Sequence, residues 1–116
     1  MNNKQKLFNF IKGNKEGFSI HLNNHSELKN GFVCSFTHIE KSKNLNILLD
    51  KILLTASLFP QLKNEIVLGG WYDNDSKSYF LDLGLCLDDK NHALQLAKQF
   101  KQIAIFDLNN FEEIRL

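Results

Sequence analysis

The feature that most constrains this chain is an apolar run between residues 45 and 59 that repeats with the period of an α-helix. Pro60 follows the run and ends it. A second apolar stripe, Ile47, Leu54 and Leu58, lies nearly opposite the first. A helix that is apolar on two sides is usually covered on two sides. We therefore expect a sheet to cover the first stripe, and the N-terminal helix or another chain to cover the second. The first stripe consists of Leu45, Leu48, Leu49, Ile52, Ala56 and Phe59.

Around this helix, apolar and polar residues alternate with the period of β-strands. Asp88 or Asp89 is expected to cap a second main helix, and residues 3–12 form a short amphipathic helix. The polar run 73–78 joins two strands into a hairpin. The order after the first helix is ββαββαβ. The strands are predicted at residues 17–22, 32–38, 66–72, 79–83 and 103–108.

These elements predict a single α+β domain over residues 1–116, with an N-terminal helical extension at 1–13. The sheet is expected to have about five strands in largely antiparallel order and to carry two main helices. Gly69-Gly70 lies inside a predicted strand, where such glycines indicate a bulge or close packing by a neighbouring group.

Charge and hydropathy exclude several classes of function. The formal net charge is +1, and only Arg115 among the 14 basic residues is an arginine, which argues against nucleic-acid recognition. The run 45–59 is interrupted by Asp50 and Lys51, so we expect no membrane span. The apolar stretch 7–11 is too short for a signal peptide, and we expect a cytoplasmic protein.

Metal-ligating residue types occur in one loose cluster, His21, His25, Cys34 and His38. A zinc site requires two tightly spaced ligand pairs, which this cluster lacks. Asp73 and the acid two residues later resemble the start of a calcium loop, but Gly and Glu are missing from the later positions that such a loop needs. We therefore expect no metal and no cofactor.

Two acids lie in predicted strands, and alternation places both on one face of the sheet. A pair formed by Asp82 and Asp107 could support acid–base chemistry, but no His or Lys is tied to it by spacing. Solvated surface acids explain the same residues, so we expect no catalytic residue and no enzyme. The same face would also carry Val33, Ser35, Thr37, Trp71, Phe80 and Ile105.

This face, with exposed Trp71 and Phe80, is the most informative surface that the sequence predicts. Large exposed apolar patches are rare on monomers and mark contact surfaces. Two alternatives stay open at this point. The face is a contact surface, or residues 3–12 fold over it and make it ordinary core.

The segment 66–73, with its Gly69-Gly70-Trp71-x-Asp73 pattern, resembles a family of small proteins of uncharacterised function from prophages, plasmids and other mobile elements. The resemblance runs from Gly17-Phe18 to residue 113 and includes an AIFDL-like last strand at 104–108. It implies a bacterial mobile-element accessory protein, and it assigns no catalytic residue.

The sequence thus predicts a protein-binding module, and the resemblance suggests an inhibitor of a host or rival defence complex, in an anti-CRISPR-like role. The predicted binding surface comprises Trp71, Phe80, Asp82, Asp107, Ile47, Leu54 and Leu58. Two alternatives remain: a homodimer that uses the same surfaces, and a weak nucleic-acid-binding protein that uses the lysine-rich first half.

Overall fold

The computed structural model describes residues 2–116; residue 1, with which the predicted extension begins, lies outside them. Three α-helices and seven strands follow one another along these residues, with a single 3-10 turn at Pro60–Leu62. The α+β class is confirmed. The elements are α1 (Asn3–Gly13), β1 (Phe18–His21), β2 (Phe32–Ser35), β3 (Glu40–Ser42), α2 (Leu45–Ser57), β4 (Ile66–Asp73), β5 (Ser78–Leu87), α3 (Lys90–Gln99), β6 (Ala104–Asp107) and β7 (Glu112–Arg115).

Each helix begins at a side chain that accepts a hydrogen bond from the first turn. Asn2 accepts from the Gln5 amide at 2.8 Å and begins α1. Asn44 accepts from the Ile47 amide at 3.1 Å and begins α2. Asp89, rather than Asp88, caps α3 by accepting from the amide two residues later. Asn and Asp are favoured at these positions because their side-chain oxygens satisfy amide groups that have no partner inside the helix.

The strands form one antiparallel sheet in the order β1-β4-β5-β2-β6-β7. The long hairpin of β4 and β5 is its centre, with a continuous register from Ile66↔Leu85 to Asp73↔Ser78. The hairpin prediction is confirmed, and so is the antiparallel order. Strand β3 pairs with the first half of β5, next to β2, which pairs with the second half.

The sheet has seven strands instead of about five. The two extra strands, β3 and β7, have the sequences EKS and EEIR, which show little apolar alternation. Strand β5 also continues through Gly84 to Leu87, beyond the predicted end at residue 83. Strand pairing, rather than side-chain pattern, stabilises these segments, because the edges of β5 and β6 present unpaired amide and carbonyl groups.

All three helices cover the same face of the sheet. Leu7 of α1 and Leu49 of α2 lie in one core cluster with Leu68, Leu81 and Leu83 of the hairpin. Helix α3 packs Ala93 and Ala97 against Cys34 and Ile105 in a second cluster. Strand register places these sheet residues on one side, and we call the opposite side the open face.

The position of α1 resolves the alternative that the sequence left open. Residues 3–13 pack beside α2 and leave Trp71 39% exposed on the other side of the sheet. Residues 2–116 do not cover the second stripe of α2 either: Ile47, Leu54 and Leu58 are 62%, 67% and 70% exposed.

Gly69 and Gly70 do not form a bulge, since the β4–β5 register is continuous across them. Close packing is instead the reason for the second glycine. A Cβ atom on Gly70 would lie 2.6 Å from Leu81 Cδ2 and 2.8 Å from the ring of Phe18. No side chain fits that space without displacing the core.

Among residues 2–116, no helix combines the length and the hydropathy that crossing a membrane requires.

The burial pattern of α2 predicts that substitution of two of its leucines will have very different effects on stability. Replacing Leu49, which is 0% exposed, by Ala should lower the free energy of unfolding by about 2–5 kcal/mol, because it leaves a cavity in the core. Replacing Leu54, which is 67% exposed on the same helix, should change it by less than about 0.5 kcal/mol. Urea denaturation followed by circular dichroism measures both; equal losses would contradict this arrangement of the helix.

Candidate binding groove on the open face

The open face carries an aromatic pair near the turn of the β4–β5 hairpin. Trp71 and Phe80 are directly opposite each other in the β4–β5 register, so their side chains project on the same side. Their ring centroids are 4.9 Å apart with an interplanar angle of 1°, and Lys41 Nζ lies 6.0 Å from the Phe80 centroid. Phe80 therefore covers one face of the indole, and Trp71 remains 39% exposed. The prediction that both aromatics lie on this face is confirmed.

Beside this aromatic pair, glycines leave a hollow on the open face of the sheet. Gly69, the register partner of Asp82, lines the groove. Gly17 lines the same hollow next to β1. Because these positions carry no side chain, the open face is concave where a regular strand would fill it. The result is a groove of about 1000 Å³.

The walls of the groove come from connecting segments. After β1, the chain turns back so that the Leu28 amide donates to the Ser19 carbonyl at 2.9 Å. It then crosses the open face, where Cys86 Sγ donates to the Asn30 carbonyl at 3.3 Å. On the other side stands Ile39, 54% exposed, in the loop between β2 and β3. Exposed apolar side chains thus border the groove rather than fill it.

Asp82 is the half-buried acid on the groove floor. Its Oδ2 accepts a hydrogen bond from Ser35 Oγ, whereas its Oδ1 leans over Gly69, so that a Cβ atom there would lie 2.8 Å from it. Burial raises the pKa of the Asp82 carboxyl, and the Ser35 hydrogen bond only partly opposes that shift. The ion pairs found among residues 2–116 join Lys4 to Asp50, Lys51 to Glu40 and Arg115 to Glu113, and none involves Asp82.

The prediction that Asp107 shares a face with Asp82 is wrong. Asp107 pairs with Phe32, which in turn pairs with Leu87, and this register places it on the helix-covered side. It is buried there and accepts hydrogen bonds from the Asn109 amide at 2.8 Å and the Asn110 amide at 3.3 Å, which shape the β6–β7 turn. Burial acts to raise the pKa of Asp107. The hydrogen bond from the Asn110 side chain and the two backbone hydrogen bonds outweigh burial, so the pKa is lowered.

Because β6 faces the opposite way from the prediction, two of its apolar residues also exchange sides. Ile105 was expected on the open face but is 2% exposed in the α3 cluster, while Phe106 lies 38% exposed beside the groove. The segment AIFDL is apolar on both sides, so alternation alone does not distinguish the buried side from the exposed one.

The remaining predicted binding residues, Ile47, Leu54 and Leu58, lie on α2 and therefore on the opposite side of the sheet from the groove. The predicted surface thus divides into two: the groove, with Trp71 and Asp82, and the outer stripe of α2. No single flat partner surface contacts both.

Positive charge gathers away from the groove. A smaller hollow of about 520 Å³ is lined by Lys12, Lys15, Lys43 and Lys77, near the beginning of α2. Lys15 Nζ lies 4.7 Å from the ring centroid of Tyr72, whose side chain faces the helices. Acidic and basic surfaces are therefore separated, although the net charge of the chain is only +1.

The loose metal-ligand cluster is divided by the sheet. Cys34 is 0% exposed in the helix-side core, whereas His21 pairs with Val67 on the open face. Within residues 2–116, no three His, Cys, Asp or Glu side chains are arranged to hold a metal ion. Asp73, at the start of the calcium-like run, instead accepts from the Ser76 hydroxyl at 2.7 Å and closes the hairpin turn.

Comparison with known proteins identifies no relative of this chain. No protein-family model matches the chain, and searches of curated proteins and of solved structures return no significant match. The resemblance to mobile-element proteins stays a prediction.

Sequence reasoning missed several groove residues: Glu16, Glu27, Ile39 and Phe106. Three of them lie in connecting segments, where no periodicity indicates a direction. Glycine placement gave one usable signal, since Gly17 and Gly69 fall in or beside strands, and strand glycines often mark a place where another group approaches closely.

The raised pKa of Asp82 predicts a pH-dependent cost to the fold. The folded state holds the Asp82 proton more tightly than the unfolded state, so the free energy of unfolding decreases as pH rises from the ordinary aspartate range through the raised pKa. Asp82→Asn should remove this decrease and be more stable than the wild type at neutral pH. Denaturation at several pH values measures it, with Asp75→Asn in the exposed turn as the control; a wild-type advantage at neutral pH would contradict the assignment.

Proposed function

We propose that this chain is a protein-binding module that accepts a segment of another protein in the groove on its open sheet face. The observation that carries the proposal is an exposed indole beside a hollow of about 1000 Å³, on the side of the sheet that none of the three helices covers. Exposed apolar patches of this kind favour binding surfaces over ordinary monomer surface.

The composition of the groove supports a macromolecular partner. Its border is apolar, with Trp71, Ile39 and Phe106 at 39%, 54% and 38% exposure. Its floor offers one carboxylate, Asp82, whose expected companion Asp107 lies on the other face. An aromatic anchor surrounded by apolar contacts and one half-buried polar group is typical of interfaces, and the acid pair that the sequence suggested for acid–base chemistry is divided between the two faces of the sheet.

A groove variant and a matched variant of the α2 stripe test the proposal. Ile39→Ser with Phe106→Ser should reduce capture of the partner from nuclease-treated bacterial lysate at least about tenfold, because two apolar contacts are lost. Leu54→Ser with Leu58→Ser removes two apolar side chains from α2 that are more exposed than Ile39 and Phe106, and it should leave capture unchanged. Quantitative mass spectrometry measures recovery, and circular dichroism verifies that both variants fold.

A partner that the groove variant still binds and the α2 variant loses would contradict the groove proposal and assign binding to the helix. Equal recovery of every captured protein by the two variants and the wild type would contradict a role for either surface.

The exposed stripe of α2 favours a second candidate, a homodimer. Ile47, Leu54 and Leu58 lie at helical spacing with more than half of each side chain exposed, and two such stripes could pack as an antiparallel helix pair. Light scattering distinguishes a monomer of 13.4 kDa from a dimer of twice that mass. The expectation that the partner belongs to a host or defence complex depends on the sequence resemblance alone and stays a prediction.

A further inference from the structure

The chemistry of the groove specifies the kind of side chain that it binds. We propose that the groove recognises an arginine side chain of the partner segment, with the guanidinium above Gly69, donating to Oδ1 of Asp82 and packing against the indole of Trp71. This inference depends on the proposed function and goes further by naming the chemical group that is recognised.

The charges that line the groove are complementary to a cation. Glu16, Glu27 and Asp82 line it, and none of the three forms an ion pair within residues 2–116. Glu113 also lines it but is already paired with Arg115 at 3.2 Å. Among the residues of 2–116 that border the groove, Lys29 is the one basic residue. Three unpaired acids against one lysine favour a positively charged occupant.

Asp82 has one carboxylate oxygen that is available to a ligand. Its Oδ2 is engaged by Ser35, which fixes the carboxylate plane, while Oδ1 points over Gly69 and has no hydrogen-bond partner in residues 2–116. The absence of a side chain at Gly69 permits this orientation, since a Cβ atom there would lie 2.8 Å from Oδ1. A donor from outside can therefore approach a carboxylate that is already oriented, and little side-chain freedom is lost on binding.

The indole lies within reach of the same donor. Trp71 is two residues from Gly69 on β4 and projects on the same side, which places it about 7 Å along the strand. Phe80 stacks on one face of the ring, and Gly17, which lines the groove on the β1 side, contributes no side chain that could cover the other. A cation within about 6 Å of an indole centroid is attracted by the ring.

Arginine satisfies both groups better than lysine. The guanidinium is planar, so it packs flat against an indole, and its N–H groups project in the same plane toward a carboxylate. It is also more weakly hydrated than an ammonium group, so transfer to a half-buried carboxylate costs less. Ile39 lies close to Asp82, because the residue after it, Glu40, pairs with Leu81. The exposed Ile39 side chain offers an apolar contact for the partner residue that precedes or follows the arginine.

Trp71 is the only tryptophan in the chain, so its fluorescence reports on this site alone. The probes are blocked pentapeptides Gly-Leu-Arg-Leu-Gly, together with versions in which citrulline or lysine replaces arginine. Citrulline keeps the shape and removes the charge. We expect a saturable fluorescence change with the arginine peptide, and at least about tenfold weaker binding of the citrulline peptide, because a charged hydrogen bond is lost. Lysine should bind with intermediate affinity.

Variants of the protein complete the test. Asp82→Asn should weaken binding of the arginine peptide at least about tenfold, whereas Asp75→Asn, which removes an acid from the exposed hairpin turn, should not. Calorimetry repeats each titration, so that binding without a fluorescence change is detected.

Equal affinity for the arginine and citrulline peptides, or full affinity in Asp82→Asn, would overturn the arginine inference and leave the binding module intact. Failure of all three peptides to bind would also overturn it. The proposed function fails on a different result, namely capture of the protein partner that is unchanged by Ile39→Ser with Phe106→Ser.

Discussion

The β4–β5 hairpin is the constraint on which the rest of this structure depends. Its eight paired positions fix which side chains face the helices, and the choice is enforced by burial of Leu68, Leu81 and Leu83. Because successive strand residues point to opposite faces, burying these leucines places Trp71 and Asp82 on the other side. A shift of one residue would expose the leucines and bury the acid, which costs far more than it gains. The groove is therefore a consequence of how the core is packed.

The hairpin also explains the unusual width of the sheet. Strand β5 has ten residues, and its outer edge pairs with β2 along one half and β3 along the other. The connection from β1 to β2 must then pass over β4 and β5, and its Asn30 carbonyl contacts Cys86 on the open face. The same crossing builds one wall of the groove. The crossing segment thus adds a wall to the hollow that Gly17 and Gly69 leave on the open face.

Covering only one face of the sheet has an energetic consequence. The three helices bury the leucines of the hairpin, while an indole, Ile39 and Phe106 keep contact with water on the other side. Apolar surface that stays exposed contributes nothing to folding, and it becomes stabilising only when a partner covers it. Lysines gather at the hollow near α2, on the far side from Asp82. The molecule therefore presents two surfaces of opposite charge, which its net charge of +1 conceals.

The sequence by itself determined the elements with strong periodicity: α2, the hairpin, the Asn- or Asp-capped helix starts and the α+β class. It also placed Trp71, Phe80 and Asp82 on one face, because alternation in β4 and β5 is clear. It did not determine the phase of β6, since Ala104–Leu108 is apolar on both sides, and so Asp107 was assigned to the wrong face. Tertiary structure decided the short strands β3 and β7, the packing of α1 beside α2, and the groove walls. The physical reason is that these features depend on contacts between distant segments, whose free energy is not encoded in any local pattern.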